Sequence, residues 1–196
     1  ACAEFLGRLL AGQEVGAFET VMVAKNGRAC DLEGSVTVGF EHGRPTVTRG
    51  IFRDITARKA MDRALRESEE QHRLMIQSSR DAILTLHPPD WRFTSCNPAA
   101  VALFGAANEA AVCALEPWVL SPAVQEDGRD SPGKANEMIA TAMESGSHAF
   151  EWIHQRLDGS PFFTTVLLSR VAQGGQAYLV VTIRDPSVLN DADWTP

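Results

Sequence analysis

The sequence has no feature that would place the chain in a membrane or on a nucleic acid. No run of about 18 apolar residues is present, which is the minimum for a spanning helix, and no signal peptide is recognisable. The net charge is −7, and positions 77–196 carry 7 basic against 14 acidic residues, so no basic face exists for a phosphate backbone. We therefore expect no nucleic-acid binding and no membrane segment in this chain.

Cysteines are few, and their spacing is uninformative. Cys2, Cys30, Cys96 and Cys113 form no C-x-x-C pair, and their separations fit neither a zinc site nor a small disulfide scaffold. Reduced thiols, most of them buried, are typical of cytoplasmic proteins. The sequence therefore predicts no metal site and a cytoplasmic location.

Motifs for catalysis are also missing. The stretch "GRDSPGKA" (128–135) fits the G-x-x-x-x-G-K phosphate loop, but Ala135 stands where a magnesium-binding hydroxyl is required, and no buried strand precedes it. No carboxylate pair and no Ser/His/Asp or Cys/His set stands out. We therefore predict no catalytic residues and interpret 128–135 as a polar loop that leads into a helix.

Two histidines flank Glu151 on a predicted strand. Positions three apart on a strand point to opposite faces, so His154 and Glu151 cannot share a metal ion. We interpret His148 and His154 as exposed strand residues.

The chain contains an internal repeat. "FETVMVAKNGRACDLEGSVTV" from Phe18 matches "FEWIHQRLDGSPFFTTVLLSR" from Phe150, and "GIFRDIT" from Gly50 matches "VTIRDPS" from Val181 after a one-residue shift. Each copy is predicted to form strand, turn, strand, turn, strand. The first turns carry Asn-Gly and Asp-Gly dipeptides, which are typical of hairpins with positive φ at both central residues.

Only the second copy has an opening half. "DAILTLHPPDWRFTSCNPAAVALFG" predicts strands over 82–86 and 92–95, then a short helix that starts at Asn97-Pro98 and stops at Gly105. A second short helix after Asn108 and a longer one over 132–145 follow. The first copy is preceded by about 17 residues, of which "AEFLGRLLAG" reads as one helix. The sequence thus predicts half a domain (1–56), a connecting helix (57–76), a complete domain (77–187) and a tail (188–196).

These stretches resemble the PAS domain family of bacterial signalling proteins. "SSRDAILTL" is similar to its opening strand, "CNPAAVALFG" to its first helix, and "GIFRDITARK" to its exit signature. The resemblance implies an α+β fold, with a five-stranded antiparallel sheet flanked by short helices and a helix joining the two copies. The second copy departs from the exit signature, because Asp185-Pro186-Ser187 stands there and no charged helix follows.

The resemblance also implies that the connecting helix relays a signal. Thr56 is expected to cap this helix, and Asp54 and Asp185 mark the two exits. Met61, Leu65, Ser68, His72 and Met75 recur at alternating spacings of four and three, as in a coiled-coil seam. Two of the five are polar, which predicts a weak homodimer contact. A solvated connector with no switching role is the alternative.

A ligand pocket between the sheet and the helices is a further implication of the resemblance. The residues expected to line it are Asn97, Trp118, Met138, Met143, Trp152, Val166, Leu168 and Ile183. Core packing without ligand contact is the alternative for each. The cofactor is unknown: the flavin-photoreceptor motif Asn-Cys-Arg-Phe is absent, the 132–145 helix has no histidine for haem, and non-covalent flavin, a metabolite or no ligand stay open.

The function implied is a sensory and signal-relay region of a larger bacterial protein, of the histidine kinase or diguanylate cyclase type. Its partners would be a second copy of itself, an output domain elsewhere in the polypeptide and a small-molecule ligand. A ligand-free dimerisation scaffold is the alternative. The sequence starts at Ala1 and is expected to be a segment of that larger protein.

Overall fold

The computed structural model describes residues 7, 8 and 16–187 and divides the chain into two compact units, 1–71 and 72–196. The first unit contains an antiparallel meander of β1 (Phe18–Val23), β2 (Ala29–Glu41) and β3 (Arg44–Asp54). Helix α1 (Thr56–Ser78) follows. Gly7 and Arg8 are helical. The rest of the predicted N-terminal helix and the tail 188–196 lie outside the described residues.

The second unit is built on a five-stranded antiparallel sheet in the order β5-β4-β8-β7-β6. Its strands are β4 (Ala82–His87), β5 (Arg92–Cys96), β6 (Ser147–Gln155), β7 (Pro161–Gln173) and β8 (Gln176–Arg184). The segments between β5 and β6 are α2 (Pro98–Phe104), α3 (Glu109–Cys113), a 3₁₀ turn (Pro117–Leu120) and α4 (Ser131–Ser145). The predicted α+β fold, a five-stranded sheet flanked by short helices, is confirmed.

Short polar side chains start the helices of the second unit. Asn97 accepts the N–H of Ala100 at 3.0 Å, and Asn108 accepts that of Ala111 at 2.9 Å. Each bond satisfies one of the amide groups that a helix start leaves without a partner. At the end of α2, Gly105 takes φ 68°, the left-handed conformation that glycine adopts without strain. The start and stop of α2 predicted from the sequence are therefore present.

The core of the second unit lies on one face of its sheet, beneath the helices. Alternate residues of β4, Ala82, Leu84 and Leu86, are buried, as period-two strand geometry requires. Phe104 of α2 and Leu120 of the 3₁₀ turn belong to the same buried cluster. This packing fixes the sheet face that forms the candidate site.

The two copies share one strand register. Val36 pairs with Gly50 in the first copy, and the matching Leu168 pairs with Val181 in the second. Beyond Gly39 the first register shifts, because Phe40 pairs with Pro45 and Thr46 is passed over. This bulge accommodates one extra residue, which is the one-residue shift in the sequence match.

The turn prediction was wrong in its location. In the Asn26-Gly27 turn only the glycine has positive φ (82°), and Ala24 C=O accepts the Gly27 N–H at 2.9 Å. The Asp158-Gly159 turn is built in the same way. Positive φ at both central residues occurs instead at the second turns, in His42-Gly43 and Gly174-Gly175. Those turns join their strands directly, whereas the first turns include additional loop residues.

Candidate functional site

The start of α1 is fastened to the first unit's sheet by side-chain hydrogen bonds. Asp54 accepts the N–H of Thr56 at 2.9 Å, and the Thr56 hydroxyl accepts the N–H of Asp31 on β2 at 2.9 Å. The expectation that Thr56 itself caps the helix was wrong, because its hydroxyl is turned to the neighbouring strand. The bonds from Thr56 hold the pKa of Asp54 below its usual range.

Lysine 59 adds an ionic contact at the same junction. Its ammonium lies 2.6 Å from a carboxylate oxygen of Glu19 and 3.2 Å from one of Asp31. The bond to Glu19, and then that to Asp31, raises the pKa of Lys59. The first turn of α1 is thus held to β1 and β2, and Ile55 between them is buried.

The second copy repeats the same exit. Asp185 accepts the N–H of Ser187 at 2.9 Å, the same bond and length as Asp54 with Thr56. Its side chain is only 4% exposed and lies 3.6 Å from the guanidinium of Arg156. The altered sequence Asp-Pro-Ser therefore keeps the local bond, and the predicted absence of a following helix concerns residues outside those described.

Along its whole length α1 has no buried side chain. It spans 23 residues, against 20 predicted. The apolar residues of the predicted seam, Met61, Leu65 and Met75, are all exposed, Met61 by 71%. Leu74 and Ile76 beside the seam are exposed as well. The helix therefore presents apolar side chains without packing them within this chain.

Asn97 joins the end of α1 to the second sheet. Its side-chain amide donates to the carbonyls of Ile76 (3.1 Å) and Asp81 (3.0 Å), and its oxygen accepts the N–H groups of Ile83 (2.9 Å) and Ala100. The residue is 2% exposed. One buried side chain therefore connects the last turns of α1, β4 and α2.

An almost entirely apolar cavity of about 60 Å³ lies on the core face of the second sheet. Four of the predicted residues line it, namely Trp152, Val166, Leu168 and Ile183. The other lining residues are Leu86, Phe93, Pro117, Ser121, Ala135, Ile139, Phe150, His154 and Val181. About 10–15 Å³ of such space holds one water molecule, so the cavity is far smaller than the three rings of a flavin or a haem.

The other four predicted residues do not line this cavity. Asn97 makes the bonds described above, and the indole of Trp118 donates to Glu116 at 2.9 Å. Met138 is buried with its sulfur 3.2 Å from Nε2 of His148. Met143 is half-buried against the core. Helix α4 turns Ala135 and Ile139, rather than its methionines, to the cavity.

Both histidines of β6 were wrongly expected to be exposed. His154 is 8% exposed and lines the cavity, and His148 is half-buried. Nδ1 of His154 lies 2.7 Å from the Thr164 hydroxyl, which donates to the Trp152 carbonyl at 3.1 Å. Burial lowers the pKa of His154 to about 3, so the ring is neutral near pH 7. The alternation Phe150, Trp152, His154 is the sequence signal that places the ring on the core face.

Sequence reasoning missed two further polar residues at the cavity. Ser121 accepts the indole N–H of Trp152 at 2.9 Å. Gln125 is buried and bonds both the N–H and the C=O of Ile153, at 3.0 and 3.1 Å, as well as the Ser131 hydroxyl. An isolated serine or glutamine in a loop carries no pattern that would mark it beforehand.

The stretch 128–135 has the geometry of a helix start. Lys134 pairs with Asp127 at 2.9 Å, and Asp130 accepts the N–H of Gly133 at 2.8 Å. The bonds from Lys134, and then Arg129, hold the pKa of Asp127 well below its usual range. The lysine that a phosphate loop would aim at a nucleotide is therefore engaged by a carboxylate.

Within residues 7, 8 and 16–187, no three His, Cys, Asp or Glu side chains are grouped to hold a metal ion. Cys30, Cys96 and Cys113 are free thiols. Burial raises the pKa of Cys96 to about 11. Cys2 lies outside the described residues.

Comparison with known proteins decides the family. A family model described as "PAS domain" matches residues 1–57 and 80–187. The chain belongs to the PAS domain family. Membership supports a sensory signalling role, and PAS domains are generally non-catalytic modules.

The PAS chain is similar to one curated relative and to many solved structures. It is 31% identical over 107 residues to Sporulation kinase A of Bacillus subtilis (strain 168), which covers 52% of this chain but only 16% of the kinase. A PAS domain of an HTR-like protein from Haloarcula marismortui aligns with TM-score 0.50 and 21% identity, covering 65% of this chain and 98% of that one. The Rhodobacter sphaeroides LOV protein aligns with TM-score 0.50 and 16% identity, covering 64% and 71%. At these identities the solved structures show the PAS fold alone.

In the part of the chain that the structure describes, no helix combines the length and apolar character needed to cross a membrane.

Proposed function

We propose that this PAS chain is the sensory and signal-relay region of a larger signalling protein of the histidine kinase or diguanylate cyclase type. In this proposal residues 1–56 are the C-terminal half of one PAS domain and 77–187 a complete second one. A small molecule in the second domain's cavity changes the packing around α1, and the helix passes that change to an output domain. The similarity to Sporulation kinase A, over 16% of that kinase, favours the kinase type.

The observation that carries the proposal is the exposed helix α1 with both ends fastened. Asp54, Thr56 and Lys59 hold its start to the first sheet, and Asn97 holds its last turns to the second. Helices in proteins owe most of their stability to packing of an apolar face. A 23-residue helix with no buried side chain gains that stability from a second copy, whose seam would cover Met61, Leu65 and Met75.

The ligand part of the proposal rests on the cavity. A space of about 60 Å³ bordered by apolar side chains and by His154 and Ser121 suits a small molecule better than flavin or haem. The same small size favours the second candidate, a ligand-free dimerisation scaffold. Thermal melts against a panel of small molecules separate the two, because a ligand that binds only the folded state raises the melting temperature.

Self-association is tested by sedimentation velocity of the full chain over a range of concentrations. Leu65→Glu puts a charge in the seam and should weaken the dimer at least about tenfold, or about 1.4 kcal/mol. Gln77→Glu is the matched control, since it adds the same charge on the opposite side of the helix. A wild-type chain that stays monomeric, or a Leu65→Glu chain that dimerises as well as the control, would contradict the proposal.

A further inference from the structure

The hydrogen bonds around His154 fix which of its ring nitrogens carries the proton. The Thr164 hydroxyl has a single proton and donates it to the Trp152 carbonyl, 3.1 Å away. Its oxygen must therefore accept from Nδ1 of His154 at 2.7 Å. In a neutral imidazole with its proton on Nδ1, Nε2 holds a lone pair and acts only as an acceptor.

This acceptor is available to a ligand. The structure gives Nε2 of His154 no hydrogen bond with any described residue. The ring is 92% buried, borders the cavity, and packs against Phe104 and Phe162 with ring centroids 5.4 and 5.9 Å away. A polar atom in such apolar surroundings favours a partner that donates to it.

Ser121 supplies a complementary group in the cavity wall. Its oxygen accepts the indole N–H of Trp152 at 2.9 Å, so its own proton can be donated. The cavity lining contains no Asp, Glu, Lys or Arg side chain. A charged ligand would lose its hydration there without gaining a counter-ion.

We propose that the cavity selects small neutral molecules that carry a hydrogen-bond donor, such as a short alcohol, by donation to Nε2 of His154. The volume of about 60 Å³ leaves room for a few non-hydrogen atoms. This inference rests on the proposed ligand-binding function and narrows it to one chemical class.

The test compares ethanol with propane, which have three non-hydrogen atoms each and differ by a hydroxyl against a methyl. Both are titrated into the full chain while the indole resonance of Trp152 is followed by ¹H–¹⁵N NMR. His154→Leu keeps the side-chain volume and removes the acceptor. His148→Leu makes the same change on the same strand, at a residue outside the cavity lining.

In His154→Leu we expect the affinity for ethanol relative to propane to fall about tenfold, the worth of one buried hydrogen bond. His148→Leu should leave that ratio unchanged. An unchanged ratio in His154→Leu, with both molecules binding, overturns this inference alone. Binding of neither molecule to the wild-type chain overturns the ligand-binding function as well.

A second measurement needs no variant. Long-range ¹H–¹⁵N spectra of the His154 ring should show the proton on Nδ1, and the Nε2 resonance should move when ethanol is added but not when propane is added. A ring with its proton on Nε2 would overturn the inference, because that nitrogen would then be a donor.

Discussion

Asn97 is the side chain whose loss should most affect the end of α1. Asn97→Ala removes two bonds that hold the Ile76 and Asp81 carbonyls and two that hold the N–H groups of Ile83 and Ala100. A net worth of about 0.5–1.5 kcal/mol for each bond, reduced where water reaches the half-buried Ile83, gives a cost of about 2–4 kcal/mol to the second domain.

Asn108→Ala is the matched control. Asn108 also starts a helix and accepts one N–H at 2.9 Å, but its bond is exposed and local. Loss of an exposed cap of this kind costs about 0.5–1 kcal/mol. Urea unfolding of the full chain, followed by Trp fluorescence, measures both variants.

Asn97→Asp separates the cap from the connection to α1. Aspartate accepts from Ile83 and Ala100 as asparagine does, but it cannot donate to Ile76 and Asp81. Amide hydrogen exchange should therefore stay slow at Ile83 and Ala100 in Asn97→Asp and quicken in the last turn of α1. In Asn97→Ala it should quicken at all these positions. An Asn97→Ala cost no larger than that of Asn108→Ala, or unchanged exchange in the last turn of α1, would refute this account of Asn97.

Two further predictions concern buried titratable groups. The pKa of His154 is lowered to about 3, so the unfolded chain gains a proton below pH 6.5 that the folded chain refuses. Stability should therefore fall as the pH drops below 6.5, and by pH 4.5 wild type should lose about 2 kcal/mol more than His154→Leu in urea unfolding; equal acid sensitivity would contradict this. Asp185→Ala should cost about 2–3 kcal/mol, because it removes two bonds to Ser187 and leaves the buried side of Arg156 without its carboxylate. Asp158→Ala, which breaks the same two bonds to Ser160 at an exposed turn, should cost under about 1 kcal/mol, and equal costs would show that burial of Asp185 is irrelevant.

The fold was largely predictable because its signals are local. Asn97, Pro98 and Gly105 delimit α2 through chemistry contained within a few residues, and the alternation in 82–86 predicts a strand. The repeat then carried the strand order from one copy to the other. The turn geometry was misassigned because Asn-Gly fits more than one hairpin loop, and loop length decides between them.

The candidate site was less predictable because it depends on contacts between distant parts of the chain. Nothing local to Asn97 indicates that its amide reaches Ile76, and the resemblance placed it in the pocket instead. His154 was read as exposed because histidine is polar, although its spacing from Trp152 puts it on the core face. Its partner Thr164 lies on the neighbouring strand, and strand pairing rather than sequence distance brings the two together.

The two exits share one further consequence. In each, an aspartate at the end of a domain's last strand holds the N–H two residues later, so the bond depends on three consecutive residues. A junction of this kind travels with its own domain when the gene segment is duplicated, and it requires no matching change in whatever is appended. Such self-contained joints allow PAS modules to be strung into arrays of any number, each new unit arriving with its own connector.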